Sequence, residues 1–250
     1  DALQAGYEVK GVGLFNEGRL KYKVAGTTKS GHNDTTLGNS IINAAIAYVA
    51  MRNCKLHGDI IVAGDDLLVV IEGDFDAEAL ANEERKLGIT PEYRKFESYR
   101  DVSFISGIWF RNSENQYVFT PKPGRLLRKL WWTTKPPAPK RRNDYIKSIV
   151  VGMQHNIGHM PVIRKFIDIH EVQGDYTATP YDYILVEGYN IGDVSSDFKI
   201  RYNMTDEEIK EVEEYLEGLR GKSGVMVNKL IDLIVDTDLA EIDERPTVGW

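Results

Sequence analysis

Apolar and polar residues alternate from Tyr7 to Lys10 and again from Arg19 to Val24, on either side of Asn16-Glu17-Gly18. That period of two predicts a β-hairpin turning at the Asn/Gly pair. Residues 25–34 are turn-rich, with Gly26, Ser30, Gly31, Asn33 and Asp34, and from Thr35 to about Arg52 the apolar spacing becomes helical. Two apolar runs, residues 59–63 and 67–71, then flank Gly64-Asp65-Asp66. They predict two buried strands joined by a tight turn. A helix rich in Ala, Glu and Leu follows over residues 76–87 and stops at Gly88, after which residues 89–95 are expected to return as a strand.

Further along, residues 102–110 and 116–119, separated by Asn112-Ser113-Glu114-Asn115, predict a second hairpin. Pro121, Pro123, Pro136, Pro137 and Pro139 bracket a short basic and aromatic helix over residues 125–132. In the last third, Thr205-Asp206-Glu207-Glu208 has capping-box spacing, and Ile209, Val212, Leu216 and Leu219 mark one helical face. Residues 225–234 predict another amphipathic helix, whereas residues 176–202 read as aromatic, turn-rich and non-helical. The fold class is therefore α/β: an antiparallel sheet with helices over residues 1–120, then a mainly helical part over residues 121–250, with the boundary near Pro121.

Composition narrows this picture. A chain of 250 residues that is 42% hydrophobic has room for one large or two small domains. No apolar run approaches the roughly 20 residues of a membrane span. The start, Asp1-Ala2-Leu3-Gln4-Ala5, has no charged leader, apolar signal core or initiator Met, and is expected to be a cut end. The single cysteine, Cys54, excludes an internal disulfide and a multi-cysteine zinc site, and is expected to pack as a small core residue. A net charge of −7 weighs against a whole-molecule nucleic-acid binder, but the charge is unevenly distributed. Residues 122–147 carry Lys122, Arg125, Arg128, Lys129, Lys135, Lys140, Arg141, Arg142 and Lys147 against Asp144 alone.

Asp65 and Asp66, adjacent at the tip of an apolar hairpin, repel one another and lose hydration, which a cation would offset. Oxygen-rich sites of this kind suit Mg²⁺ or Mn²⁺. An exposed Gly-Asp turn of a hairpin is the plainer reading of those residues taken alone. Upstream, Ser30-Gly31 lies in the turn-rich stretch, and Thr35 and Asn39 stand at i and i+4 on one face of the helix. A hydroxyl and an amide in that arrangement can hydrogen-bond a ribose 2′-OH, although a Ser/Thr N-capping loop has the same residues.

Ser-Gly, three residues, Thr, three residues, Asn, then one helix and Gly-Asp-Asp at a strand turn resembles motifs B and C of viral RNA-dependent RNA polymerases. The wording Asp34-Thr35-Thr36-Leu37-Gly38-Asn39 is most similar to positive-strand viruses of the tombusvirus and nodavirus kind. The resemblance implies a partial polymerase palm over residues 1–120 and a thumb over residues 121–250, synthesising RNA on an RNA template from NTPs with Mg²⁺ or Mn²⁺. It implies that Asp65 is a metal ligand and Asp66 its auxiliary carboxylate, on the turn opened by Gly64. Ser30 and Gly31 would form a loop that moves with template and substrate, and Thr35 and Asn39 would read the ribose. Lys95 falls where motif D places its lysine, the general acid for the pyrophosphate leaving group, with Lys86 as competitor. Residues 104–110 resemble motif E, or are simply a core hairpin. Arg125, Arg128 and Lys129, near Trp131 and Trp132, would track RNA phosphates, or form a solvated basic face.

One departure from the family pattern stands out. Such polymerases carry an Asp-x₄-Asp motif A on the strand facing Gly-Asp-Asp, and no such pair precedes Ser30: Asp1 is too close, and Glu8 and Glu17 belong to a hairpin pattern. The fingers and motif A are expected as partners, in the same or another chain, along with RNA template and product, NTPs and other viral replication proteins. The expected location is the host cytoplasm at membrane-associated replication complexes. A catalytically silent RNA-binding or scaffolding subunit with a polymerase fold is the alternative. A reverse transcriptase fits less well, because Ala63-Gly64 stands where its hairpin carries an aromatic, and Asn39 favours ribose. His155 and His159 have the i, i+4 spacing of a helical zinc pair, but Gly152, Gly158 and Pro161 disfavour that helix.

Overall fold

The computed structural model describes residues 8–26, 35–129, 137–170, 191–222 and 225–243. They fall into two compact units, Asp1–Lys95 and Phe96–Trp250. The class is mixed α/β, with small antiparallel sheets and eight α-helices among the described residues.

In the first unit, β1 (Glu8–Phe15) and β2 (Gly18–Ala25) form the expected hairpin, with Phe15 opposite Gly18 and Asn16-Glu17 as its loop. Directly opposed residues share a face, so Val9, Leu20, Tyr22 and Val24 lie together. The Tyr22 ring occupies the space over Gly11, where a Cβ would fall 2.1 Å from it.

The helix predicted from Thr35 is α1 (Thr35–Asn53), and the two apolar runs are β3 (Gly58–Ala63) and β4 (Asp66–Ile71), paired antiparallel with Ala63 opposite Asp66. Strand alternation turns Ile60, Val69 and Ile71 onto a core of Ala50, Met51 and Leu80, while Ile61 and Val70 face away and are exposed. Cys54 packs against that core, and burial pushes its thiol pKa up. Helix α2 (Ala77–Lys86) is capped by Asp76, whose carboxylate accepts from the N–H groups of Glu78 and Ala79. Beyond it Gly88 takes φ of 91°, the left-handed conformation that ends the helix.

Residues 89–95 depart from expectation and form no strand. Pro91 cannot donate to a ladder. Side chains anchor the segment instead: the Tyr93 hydroxyl donates to buried Glu84 at 2.6 Å, and Lys95 Nζ donates to Asp74 at 2.9 Å.

The second unit holds a three-stranded antiparallel sheet of β5 (Ser103–Phe104), β6 (Gly107–Arg111) and β7 (Tyr117–Pro121). The single strand expected at residues 102–110 is thus two strands. Ile105 and Ser106, with φ of 41° and 66°, form a two-residue turn of the type I′ pattern between them. A β-branched residue rarely takes positive φ, so Ile105 masks the turn that Ser106-Gly107 would otherwise signal.

Helices α3 (Pro123–Lys129), α4 (Arg142–Ile157), α5 (Ile163–Ile169), α6 (Ser195–Tyr202), α7 (Asp206–Glu217) and α8 (Lys229–Asp243) complete the unit. They bury Ile157, Met160, Ile163, Phe166, Phe198 and Ile234 with Ile108, Phe110 and Val118 of the sheet. The capping box at Thr205 and Glu208 forms as expected, with Val212 and Leu216 buried beneath it. Helix α3 starts at Pro123 rather than Arg125, and the end of the predicted helix, including Trp131 and Trp132, lies outside the described residues. Helix α6 replaces part of the stretch read as non-helical, its first turn fixed by Asp193, which accepts from the Ser195 N–H. Helix α8 begins later than expected because Asn228 caps it, accepting from Leu230 and Ile231 N–H and leaving Val225 and Val227 exposed before it.

Two buried carboxylates tie these elements together. Asp197 accepts from the Tyr99 hydroxyl, from Arg100 Nε at 2.7 Å and from the Arg111 N–H at 2.8 Å. Burial, with Asp197 next in effect, pushes the Tyr99 hydroxyl pKa up to about 12. Asp238, fully buried in α8, accepts from Arg201 Nη2 at 3.0 Å, from the Tyr202 hydroxyl at 2.9 Å and from the Gly124 N–H at 2.7 Å. Gly124 is where α3 meets α8 closely: a Cβ there would lie 2.3 Å from the Ile234 carbonyl oxygen.

Candidate active site

Register alone puts the carboxylate pair at a turn. With Ala63 opposite Asp66, the loop is Gly64-Asp65, and of these two residues only Gly64 has positive φ, at 68°. Glycine at the first loop position is the type II′ pattern, whose twist suits the flanking strands. A side chain would be strained at that φ, although nothing lies within 4 Å of where a Cβ would be.

A two-residue loop leaves backbone groups that the strand ladder does not reach. Helix α1 supplies their partners. Ser40 Oγ accepts the Gly64 N–H at 2.7 Å and donates to the Thr36 carbonyl at 2.6 Å. Asn43 Nδ2 donates to the carbonyl oxygens of Gly64 at 3.3 Å and Asp65 at 3.0 Å. The backbone of the turn is thereby fixed to the helix, Gly64 is buried, and the side chains of Asp65 and Asp66 are left exposed.

Asn39 and Thr35 stand four and eight residues before Asn43, on the same helical stripe that meets the turn, and both are half-buried. Ser30 and Gly31 lie outside the described residues. Lys95 is committed to Asp74, whose carboxyl it holds below the usual range, and its ammonium lies 5.6 Å from the Phe75 ring centroid. Its competitor Lys86 is exposed and paired with Glu83 on α2.

Among the described residues no group of three or more His, Cys, Asp or Glu side chains is arranged to hold a metal. The Asp-x₄-Asp spacing does recur at Asp238 and Asp243, but Asp238 is buried against Arg201 and Tyr202 in the second unit. The histidine pair does not share a helix. Helix α4 ends at Ile157, His159 lies beyond Gly158, and burial lowers the His159 pKa with neither ring nitrogen hydrogen-bonded. The side chain of His155 lies outside the described residues.

In the second unit Arg125 donates to Ser106 Oγ, while Arg128 and Lys129 are exposed at the end of α3. Lys140, Arg141 and Arg142 are exposed where α4 begins. The residues read as motif E form β5, the Ile105-Ser106 turn and β6, with the Trp109 ring 4.7 Å from that of Phe119.

Sequence reasoning missed Ser40 and Asn43. A signal for one existed: Asn43 continues the i, i+4 series of Thr35 and Asn39 by one more turn, an unusual run of polar residues on a face that elsewhere buries Ala47 and Ala50.

Residues 1–215 match the family model described as Viral RNA dependent RNA polymerase. The genome polyprotein of human rhinovirus 1B is 27% identical over 149 residues, which cover 54% of this chain and 7% of that protein. The RNA-directed RNA polymerase of melon necrotic spot virus is 36% identical over 73 residues, covering 29% of this chain and 9% of the relative. That of tobacco necrosis virus (strain A) is 26% identical over 167 residues, covering 62% and 22%. The chain therefore spans less than a quarter of the length of each of these relatives.

Proposed function

Since this chain belongs to the viral RNA-dependent RNA polymerase family, we propose that it supplies one part of a template-directed RNA polymerase. It carries half of the catalytic carboxylates, the ribose-reading helix and a thumb. The observation that carries this reading is the Gly64-Asp65-Asp66 turn, hydrogen-bonded to the helix that presents Thr35 and Asn39.

Two adjacent exposed carboxylates fit a hard divalent cation, Mg²⁺ or Mn²⁺, which takes oxygen ligands. Asp65 is the direct ligand in this proposal and Asp66 the auxiliary one. When bound, paired ions of this kind would neutralise charge on the transferring phosphoryl group and favour attack by the primer 3′ oxygen. Two carboxylates form only one wall of such a site. With no Asp-x₄-Asp ahead of Ser30, the facing carboxylates are proposed to come from polypeptide outside this sequence, in the same or another chain.

The chain's own residues do the rest. Thr35 and Asn39 hydrogen-bond the ribose 2′-OH of the incoming NTP, so that a deoxyribose leaves them without that partner. Ser30 and Gly31 serve template and substrate in this proposal. Lys95 Nζ, hydrogen-bonded to Asp74, exchanges that partner for the departing pyrophosphate and donates a proton to it. Arg128, Lys129 and, after release from Ser106, Arg125 lie along the phosphates of the exiting duplex. The palm and thumb are assigned to residues 1–120 and 121–250, and the setting to membrane-associated viral replication complexes with other replication proteins. No helix of the described residues is long and apolar enough to cross a membrane.

The test uses the isolated 250-residue chain. Filter binding is expected to show weak RNA affinity that falls as salt rises, because each phosphate contact releases counterions. Primer extension with Mg²⁺ and all four NTPs is expected to show no product. Salt-insensitive or absent RNA binding would remove the phosphate-tracking role, and robust extension would mean that the second carboxylate wall lies within this sequence.

A further inference from the structure

We infer that Ser40 and Asn43 are positioning residues that fix the Gly64-Asp65-Asp66 turn at a set distance from the ribose-reading residues, coupling sugar recognition to the metal-binding carboxylates. The inference rests on the polymerase reading above. It adds two residues whose side chains touch the carboxylate turn only through its backbone.

The geometry is specific to those two side chains. A hairpin loop of Gly64 and Asp65 exposes three backbone groups toward α1, and each finds a partner there: the Gly64 N–H in Ser40 Oγ, and the Gly64 and Asp65 carbonyls in the two N–H bonds of Asn43 Nδ2. Ser40 is held in turn, because its hydroxyl proton is committed to the Thr36 carbonyl one turn back, which leaves an oxygen lone pair for Gly64. A serine hydroxyl and a carboxamide, one helical turn apart, match the donor and acceptor pattern of the loop. An apolar residue at either position would leave polar backbone unsatisfied at a part-buried spot.

The consequence for Asp65 is directional. Its carbonyl is tethered to Asn43 while its carboxylate is exposed, so the tether sets where the carboxylate points without blocking it. Asn43, Asn39 and Thr35 follow one another at intervals of four residues along one rigid helix. A shift of the turn therefore changes the spacing between bound metal and bound sugar, and a misplacement of about 1 Å in such a site can cost on the order of a hundredfold in rate.

Ser40→Ala, Asn43→Ala and the conservative Ser40→Thr test this in the polymerase that contains these residues, with Asp65→Ala as control. Both alanine variants are expected to fold, since α1 is anchored by Ala47, Ala50 and Met51 on its buried face. The expected result has a part independent of turnover: amide hydrogen exchange at Gly64 accelerates roughly tenfold or more in Ser40→Ala, as its acceptor is lost. In NTP incorporation, kcat falls roughly ten- to a hundredfold with little change in KM for NTP, the Mg²⁺ concentration for half activity rises, and discrimination against dNTPs drops. Ser40→Thr, which keeps the hydroxyl, restores all four readouts toward the original.

Original exchange, Mg²⁺ response and sugar discrimination in both alanine variants, with Asp65→Ala inactive, would overturn the inference alone. Loss of folding in both would make the pair structural and overturn it equally. Full activity of folded Asp65→Ala would instead overturn the polymerase reading on which the inference rests.

Discussion

Asp65→Ala is expected to abolish NTP incorporation by the completed polymerase, a loss on the order of a thousandfold or more, because it removes the proposed direct metal ligand at the tip of the turn. The substitution is also a clean one. Ser40 and Asn43 hold the turn through the N–H of Gly64 and the carbonyls of Gly64 and Asp65, none of which belongs to the Asp65 side chain. The variant should therefore keep its far-ultraviolet circular dichroism and its thermal midpoint while losing turnover. Asp66→Asn should be milder, since Asp66 sits in β4 opposite Ala63 and is the auxiliary carboxylate of the proposed site. Wild-type incorporation by folded Asp65→Ala would sink the catalytic assignment.

The second large effect concerns stability. Asp238→Ala is expected to destabilise the second unit by about 3–5 kcal/mol, the range seen when one member of a buried ion pair is removed. Arg201, whose side chain is 6% exposed, would be left charged without its carboxylate partner, and the Tyr202 hydroxyl and Gly124 N–H would lose their acceptor. Chemical denaturation followed by near-ultraviolet circular dichroism of Tyr202 and its aromatic neighbours reads this directly. The corresponding change at Asp197 should cost less, because its partner Arg100 is 32% exposed and water can take over part of the lost interaction. A shift below about 1 kcal/mol for Asp238→Ala would show that this cluster is not what joins α3, α6 and α8.

Elements whose period matched their environment were legible from the residues alone. The alternation in β2, the apolar runs of β3 and β4 and the capping box of α7 appear within a residue or two of where the pattern put them, while β1 continues the alternation of Tyr7 to Lys10 on to Phe15. Elements set by one local hydrogen bond or one unusual dihedral were not. The Ile105-Ser106 turn breaks a strand at a β-branched residue that rarely takes positive φ, and Asn228 delays α8 past an apolar stretch that reads as helix. Residues 89–95 carried an apolar start but also Pro91, and side-chain anchors to Glu84 and Asp74 decided their course.

The candidate site divides in the same way. Gly64-Asp65-Asp66 was conspicuous because paired carboxylates between two apolar strands require an explanation, and Thr35 and Asn39 because of their helical spacing. Ser40 and Asn43 were not, because their partners lie 21 to 24 residues away and are backbone atoms, which leave no trace in residue type. Asp197 and Asp238 were invisible for a related reason. Their acceptor roles join segments as much as 98 and 114 residues apart, and only the folded chain brings those segments together.

The most direct measurement is template-directed incorporation of labelled NTP by this segment, once by itself and once joined, in one chain or as a complex, to the polypeptide proposed to carry the facing carboxylates, under the same Mg²⁺ concentration. The account predicts no incorporation by the segment alone and metal-dependent incorporation by the joined protein, lost again in Asp65→Ala. Incorporation by the isolated segment, or a joined protein that binds RNA yet never extends a primer, would contradict it.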